Sequence, residues 1–109
     1  MAAFHLKKDD LLPYIEKTLY GADEEPLDLT GATVTWSMRP SSSNTPKVDA
    51  EACVIVGDAA NGRVQYQWAS GDTDTAGTFF GEFVATIGGK PLTVPNKGTV
   101  TVEISARLS

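Results

Sequence analysis

Residues 26–40, "PLDLTGATVTWSMRP", alternate apolar and polar side chains from Ala32 onward. One side of the alternation carries Ala32, Val34, Trp36 and Met38, and the other carries Thr33, Thr35, Ser37 and Arg39. Successive side chains of a β-strand point to opposite faces of the sheet, so this pattern predicts a strand with one buried face. A Trp at its centre supplies much of the core area that a small β-protein needs. The stretch therefore predicts a scaffold strand over residues 30–39, with Val34 and Trp36 in the core.

The same two-residue period recurs along the rest of the chain. It predicts strands over residues 51–56, 63–69, 78–87, 91–94 and 99–108. The last of these places Val100, Val102, Ile104, Ala106 and Leu108 on the side that faces the core. Asn61-Gly62 readily adopts positive φ and predicts a turn before the strand at 63–69. Short strands about ten residues apart, with turns between them, predict an all-β protein, an antiparallel β-sandwich of about seven to eight strands.

Residues 11–20 fit two alternatives. Leu11, Leu12, Ile15 and Leu19 have the spacing of a helix that starts with Pro13 in its first turn. However, residues 14–20 are mostly β-prone, and "GADEEP" after them is typical of a turn. We therefore expect a strand here and little helix in the protein as a whole.

The composition argues against several classes of protein. A chain of 109 residues has the length of one domain, so we expect a single domain over residues 1–109. The net charge of -5, with scattered basic residues, opposes nucleic-acid binding. The chain lacks a run of about 18 apolar residues and an apolar signal segment, so we expect neither membrane insertion nor export. Cys53 is the single cysteine, which excludes an internal disulfide and suits folding in a reducing cytoplasm.

The residues that could act in catalysis are too few and too isolated to form a site. His5 is the single histidine and lies near the N-terminus, where we expect it on an exposed terminal strand. Cys53 lies in a predicted strand without a basic neighbour that would lower its pKa, so we expect a buried, inert thiol. The sequence predicts no enzymatic activity, no catalytic residue and no cofactor.

The best candidate for a metal site is "DTDTAG", residues 72–77, which begins like a calcium loop of the EF-hand type. The match ends at Ala76 and Phe83, which stand where oxygen ligands belong. We therefore expect Asp72 and Asp74 to accept hydrogen bonds from backbone N–H groups of a turn, and no bound metal. The acidic runs at 9–10 and 23–25 are typical of solvated loops.

The predicted strand at 78–87 has apolar residues on both faces. The core is predicted to contain, besides Val34 and Trp36, the aromatic residues Tyr66, Trp68, Phe79 and Phe83. Phe80 and Val84 then fall on the outward side, with Glu82 between them. Exposed apolar groups of this kind mark contact with a partner, or they are covered by another part of the same chain. Both alternatives are open. The same two alternatives apply to Ile55, whose side chain falls on the other face of the predicted strand from Val54 and Val56.

The order of these motifs resembles a known family. "PLDLTGATVTWSMRP", followed by "GRVQYQWASGDTDTAGTFFGEFVATIGGKPLTVPNKGTVTVEI", is similar to the immunoglobulin-like domain at the N-terminus of baseplate upper proteins of tailed bacteriophages, which also occurs in many short phage structural proteins. The resemblance extends over about residues 4–104. The sequence departs from antibody domains in two ways, because Phe79 stands where a corner Tyr is frequent and the disulfide between sheets is missing.

The resemblance implies an immunoglobulin-like fold and a structural role in the tail, the baseplate or the surface of a virion. It implies a stand-alone module, because the segment that presents receptor-binding proteins in longer members has no counterpart before Ser109. The expected partners are other phage structural proteins and further copies of this chain, and the expected location is the virion, after synthesis in the host cytoplasm. The alternative is a β-sandwich that binds glycans of the host surface through Tyr14, Tyr20 or Phe80.

Overall fold

The computed structural model describes residues 3–21, 23–95 and 99–108. In these residues the chain forms the strands β1 (Phe4–Lys7), β2 (Ile15–Thr18), β3 (Thr33–Pro40), β4 (Val48–Ala52), β5 (Val54–Ile55), β6 (Arg63–Tyr66), β7 (Gly77–Ile87), β8 (Lys90–Val94) and β9 (Val100–Ser105). A single 3₁₀ turn, Ala59–Asn61, is the one helical element among the described residues. Residues 11–20 contain a strand, as predicted, and Gly62 has a φ of 68°, which confirms the predicted turn.

The strands form two sheets that pack as a sandwich. The first sheet has the order β1-β9-β7-β3-β4, with β8 also paired to β7, and the second has the order β2-β6-β5. β1 pairs with β9 in parallel, and the other strand pairs are antiparallel. If β2 to β7 are taken as strands B, C, C′, D, E and F, this is the division of an immunoglobulin-like sandwich of variable type. The protein is therefore an all-β, immunoglobulin-like sandwich.

β7 organises the first sheet. Along one edge β7 pairs with β3, from Thr33↔Thr86 to Pro40↔Phe79. On its other flank it pairs first with β9, ending at Gly81↔Val100, and then with β8, beginning at Phe83↔Val94. Among the described residues, the partner of β7 on this flank therefore changes from β9 to β8 at Glu82.

The core has an aromatic centre. The Trp36 ring lies 4.7 Å from the Phe83 ring and 6.3 Å from both Tyr66 and Trp68, measured between centroids. The predicted core residues are all buried, with exposed fractions of 3% for Val34, 0% for Trp36, 3% for Tyr66, 4% for Trp68, 2% for Phe79 and 0% for Phe83. The indole N–H of Trp68 donates to the Pro13 carbonyl at 3.1 Å, which ties the second sheet to the β1–β2 connection.

Gly81 makes room for Trp36. A Cβ atom at Gly81 would overlap the far edge of the Trp36 ring and would lie 3.1 Å from the Ser37 carbonyl oxygen. In antibody domains the corner Tyr stands two residues before the second cysteine of the disulfide, and the core Trp packs on that disulfide. If Phe79 is aligned with the corner Tyr, Gly81 takes the place of this cysteine. The indole then packs on bare backbone instead of on sulfur.

The prediction of one continuous strand over residues 51–56 is wrong. β4 belongs to the first sheet and β5 to the second, and the chain crosses between the sheets at Cys53. The crossing follows an irregularity in the β3–β4 pairing, where Ala50 has a φ of 50° and its N–H donates to Ser37 Oγ. As a result Ile55 packs against the core and Val54 is 46% exposed, which reverses the predicted facing.

The last strand is shorter than predicted. β9 ends at Ser105, beside the last residue of β1 and the first residue of β7, since Ser105 pairs with Lys7 and Ile104 with Gly77. Val102 and Ile104 face the core as predicted, but Ala106 and Leu108 lie beyond the sheet and are exposed. β6 likewise ends at Tyr66 and not at residue 69, although Trp68 stays buried.

Candidate assembly surface

The side of the first sheet that points away from the second sheet is a broad, weakly charged surface, here called the outer face. Its side chains are Thr33, Thr35, Ser37 and Arg39 of β3, Thr78, Phe80, Glu82, Val84 and Thr86 of β7, Thr93 of β8, and Thr101 and Glu103 of β9. Threonine dominates because a β-branched side chain suits a pleated surface and its hydroxyl tolerates water. A partner that covers this face must therefore offer hydrogen-bonding groups to the hydroxyls as well as apolar area.

The three predicted interface residues lie in the middle of the outer face. Phe80, Glu82 and Val84 alternate with the buried residues of β7, and all three are half-buried. The strand pairing puts Val84 between Thr35 and Thr93. The structure therefore brings the three side chains into one row, with Val84 flanked by threonines on the two neighbouring strands.

Phe80 is partly covered from within the chain. The guanidinium carbon of Arg39, its cross-strand partner, lies 5.4 Å from the centre of the Phe80 ring, within the range of a cation–π interaction. Arg39 Nη1 also donates to the carbonyl oxygens of Pro40 and Ser43 at 3.2 Å. Arg39 thus connects the Phe80 ring to the β3–β4 loop. A partner that contacted this ring would also contact the Arg39 guanidinium.

A groove of about 270 Å³ runs beside Phe80. Ser37, Arg39, Pro46, Phe80, Glu82 and Thr99 line it, together with Met38 and Gly81. The groove lies beside Glu82, where the partner of β7 changes from β9 to β8. It is the place on the outer face where an aromatic ring and several polar groups surround one concavity.

The opposite surface of the sandwich differs in chemistry. The outward residues of the second sheet include Glu16 and Thr18 of β2 and Arg63 and Gln65 of β6. Arg63 Nη2 pairs with Glu16 Oε2 at 3.3 Å. Apart from the exposed Val54, these side chains are polar or charged, so this surface is the poorer candidate for a protein contact driven by apolar burial.

Asp72 and Asp74 hold the β6–β7 connection in place. Asp72 Oδ2 accepts hydrogen bonds from the Ala69 N–H at 2.8 Å and from the Tyr66 hydroxyl at 2.5 Å. Asp74 pairs with Lys47, and the hydrogen bond from Lys47 lowers the pKa of this carboxyl. The predicted carboxylate-to-backbone bond in a turn is confirmed for Asp72. The two carboxylates have separate partners, and within the described ranges the structure contains no group of three or more potential metal ligands.

Thr73, between the two aspartates, was missed by sequence reasoning. It is 1% exposed, its hydroxyl donates to the Asp10 carbonyl oxygen at 2.9 Å, and its own carbonyl oxygen accepts from the Asp9 N–H at 2.9 Å. These bonds tie the β6–β7 connection to the β1–β2 connection.

Burial, and then the bond to Asp72, raises the pKa of Tyr66 and keeps the phenol in its donating form.

The two residues considered for nucleophilic chemistry are far apart in the fold. His5 is exposed on β1, as predicted. Cys53 is half-buried at the crossing between the sheets, and burial raises the pKa of its thiol to about 12, so the reactive thiolate is disfavoured at neutral pH. Over the described part of the chain, no helix has the length and apolar character needed to cross a membrane.

The sequence matches no protein-family model, and no curated protein sequence matches it.

Proposed function

We propose that this chain is a structural protein of a tailed bacteriophage particle, a component of the tail or baseplate or a decoration of the surface, and that it acts by binding neighbouring proteins and not by catalysis. The proposal is supported by the resemblance of residues 4–104 to the immunoglobulin-like domain of phage baseplate upper proteins, and by the agreement between that domain type and the sandwich found here. Its location is then the virion, after synthesis in the cytoplasm of the host.

One observation carries the proposal. Phe80 and Val84 lie on the outer face of the central strand, among threonines, where the second sheet does not cover them. Burying two such side chains against a partner contributes about 25 cal/mol for each Å² of apolar area removed from water. The neighbouring hydroxyls lose water in such a contact, so the partner must supply hydrogen bonds to them.

The partners that fit this face are other structural proteins of the particle and further copies of the chain. Virus particles are built with rotational symmetry, so one surface is used repeatedly by identical neighbours. Nucleic acid does not fit as a partner, since a net charge of -5 repels the phosphate backbone.

A first experiment asks whether the protein is part of the particle. Phage particles are banded in a density gradient and labelled with gold-conjugated antibody against this protein for electron microscopy. The proposal expects label at one repeated position on intact particles. Protein that stays in the lysate, with bare particles in the gradient, would refute it.

A second experiment asks whether the outer face makes the contact. The double variant Phe80→Ser, Val84→Ser should keep a cooperative melt and lose most of its incorporation into particles. Val54→Ser is the matched control, because Val54 is an exposed apolar residue of the second sheet. Equal incorporation of both variants would place the contact elsewhere.

The groove beside Phe80 favours a second candidate, a module that binds host-surface glycans. Sugar sites combine an aromatic ring with hydrogen-bonding groups in one concavity, which describes the surroundings of Phe80, Arg39 and Glu82. Tyr14 and Tyr20 do not line this groove. A glycan array probed with the wild type and with Phe80→Ala separates the candidates: a signal that the variant loses supports the glycan function, and silence from both proteins supports assembly alone.

A further inference from the structure

The turn before β6 contains an asparagine that is followed by a glycine. Asn61 is the last residue of the 3₁₀ turn and is exposed, and Gly62 after it is buried. The Gly62 N–H donates to the Ala59 carbonyl oxygen at 3.3 Å, which is longer than the usual range for a bond between N–H and oxygen. The nitrogen of Gly62 is therefore held only weakly, and its neighbour in the chain carries an exposed side-chain amide.

Position 62 accepts only glycine. Its φ of 68° lies in the left-handed region, and an added Cβ atom would lie 2.7 Å from the Leu19 carbonyl oxygen and 2.8 Å from that of Leu27. Both leucines belong to hydrogen-bonded backbone, because the Leu19 N–H donates to the Gly62 carbonyl oxygen at 2.7 Å and the Leu27 N–H donates to that of Leu19 at 2.8 Å. The fold therefore requires the one residue type that leaves the nitrogen after Asn61 unhindered.

We propose that Asn61 is a site of deamidation and that the isoaspartyl product of this reaction loosens the second sheet. The backbone nitrogen of Gly62 attacks Cγ of Asn61, and a five-membered succinimide closes. The side-chain amide leaves as ammonia and takes the Gly62 N–H proton with it. One water molecule then opens the succinimide at either carbonyl and leaves an aspartyl or an isoaspartyl residue at position 61. The reaction involves neither Phe80 nor Val84, so it goes beyond the proposed contact through the outer face.

Asn44, in the β3–β4 loop, is an internal comparison. It is exposed, as Asn61 is, but Thr45 follows it. The branched side chain of Thr45 hinders attack by the backbone nitrogen of the same residue, and the Thr45 N–H also donates to Ser43 Oγ at 3.1 Å. The two asparagines are therefore both open to water and differ in the residue that follows them.

The turn limits how fast the reaction proceeds in the folded protein. Attack requires the Gly62 nitrogen to leave its bond to Ala59 and the Asn61 side chain to approach this nitrogen, so the turn must open. Because the bond is long and Asn61 is exposed, a local opening is sufficient and global unfolding is not needed. The reaction should therefore occur in the folded protein, but more slowly than in the unfolded chain.

The two products affect the fold differently. An aspartyl residue keeps the backbone and adds one negative charge at an exposed position. An isoaspartyl residue carries the chain through its side chain and inserts one extra carbon atom before Gly62. Gly62 has no space in which to take up this shift, since the backbone of Leu19 and Leu27 already lies against it. The shift should break the Leu19–Gly62 hydrogen bond next to the β2–β6 pair Thr18↔Arg63 and so destabilise the second sheet.

The test is incubation of the whole folded chain at mildly alkaline pH, followed by tryptic digestion and mass spectrometry. Trypsin cuts after Lys47 and Arg63, so residues 48–63 form a peptide that contains Asn61, and a separate peptide contains Asn44. The Asn61 peptide should become one dalton heavier and split into two chromatographic forms, at least about tenfold faster than the Asn44 peptide gains mass. The same incubation in guanidinium chloride, which unfolds the chain, should be faster still.

Two results would overturn the deamidation site. One is an equal rate at Asn61 and Asn44 in the folded protein. The other is an unmodified Asn61 in the folded protein after the unfolded chain has reacted completely. Asn61→Gln is the control for the chemistry, because its longer side chain would have to close a six-membered ring, and residues 48–63 of this variant should keep their mass.

A second variant separates the effect of the added charge from the effect of the longer backbone. Asn61→Asp reproduces the aspartyl product without the extra carbon, so the freshly purified variant should keep the melting temperature of the wild type. The isoaspartyl form, isolated from aged wild-type protein by chromatography, should melt at a lower temperature. An isoaspartyl form that melts as Asn61→Asp does would overturn the inference that a shift at Gly62 loosens the second sheet.

Discussion

Both faces of β7 carry large apolar side chains, but the two faces differ in what covers these side chains. Phe79 and Phe83 point into the sandwich and are 2% and 0% exposed, whereas Phe80 and Val84 point outward and are half-buried. Phe83 pairs across the sheet with Trp36, and Phe80 pairs with Arg39. The strand partner and the presence of a second sheet, and not the residue type, decide whether an apolar group belongs to the core or to a surface.

The largest effect is expected on the inner face. Trp36→Ala should lower the free energy of unfolding by about 3 to 5 kcal/mol, because it removes a ring that contacts Phe83, Tyr66 and Trp68. A loss of that size approaches the whole stability of a small domain. Urea unfolding followed by circular dichroism measures it. An unchanged midpoint would mean that the ring does not support the core.

Gly81 gives the sharpest test of the inner face. Gly81→Ala should cost about 1 to 3 kcal/mol, because the added methyl group overlaps the Trp36 ring. The same change in a Trp36→Leu background should cost less, since the smaller side chain leaves room. A double-mutant cycle measures this coupling. Equal costs in the two backgrounds would show that the glycine is required for another reason.

Removing the hydrogen bond between Tyr66 and Asp72 should have a smaller effect on the free energy of unfolding. Tyr66→Phe keeps the ring and removes only the hydroxyl that Asp72 accepts, so we expect a loss of about 1 to 2 kcal/mol. Asp72→Asn is the companion variant, because it keeps the shape and removes the charge of the acceptor. Thermal melts of both variants measure the effect, and an unchanged melting temperature for Tyr66→Phe would show that water replaces the bond without loss.

Alkaline pH tests the same region without a mutation of the tyrosine. Burial raises the pKa of Cys53 from 9.0 to about 12 and also raises the pKa of Tyr66. The folded state therefore retains protons that the unfolded chain releases, and this stabilisation is complete below pH 9 and is lost as the pH rises above it. Urea midpoints should fall above that pH, and less so in Cys53→Ala. A flat profile would contradict the burial of both groups.

The sequence predicted the features that depend on local alternation and missed those that depend on neighbours. Phe79 and Phe83 could be assigned to the core because a strand turns every second side chain inward. The crossing at Cys53 could not be predicted, since it follows from backbone irregularity near Ala50 and from pairing with two different sheets. Gly81 left a signal that was not used, because a glycine inside a strand often marks close approach of another group.

The candidate assembly surface was likewise predictable from the sequence only where it depends on local alternation. Alternation placed Phe80, Glu82 and Val84 on one face, and the structure places them there. The coverage of Phe80 by Arg39 and the position of the groove beside Glu82 depend on cross-strand register. Register follows from the whole sheet, so a single strand's sequence does not contain it.

The smallest effect on stability is expected on the outer face. Phe80→Ala should cost about 1 kcal/mol in the isolated domain, because the ring is partly exposed on the outer face and loses mainly a cation–π contact of about 0.5 to 1 kcal/mol with Arg39. Phe83→Ala is the matched variant, the same change three residues later on the inner face, and should cost about 3 to 5 kcal/mol. Urea unfolding of the pair measures the difference directly. If the two variants lose the same stability, the outer face of β7 is part of the core of the fold, and an assembly surface must be sought elsewhere on the sandwich.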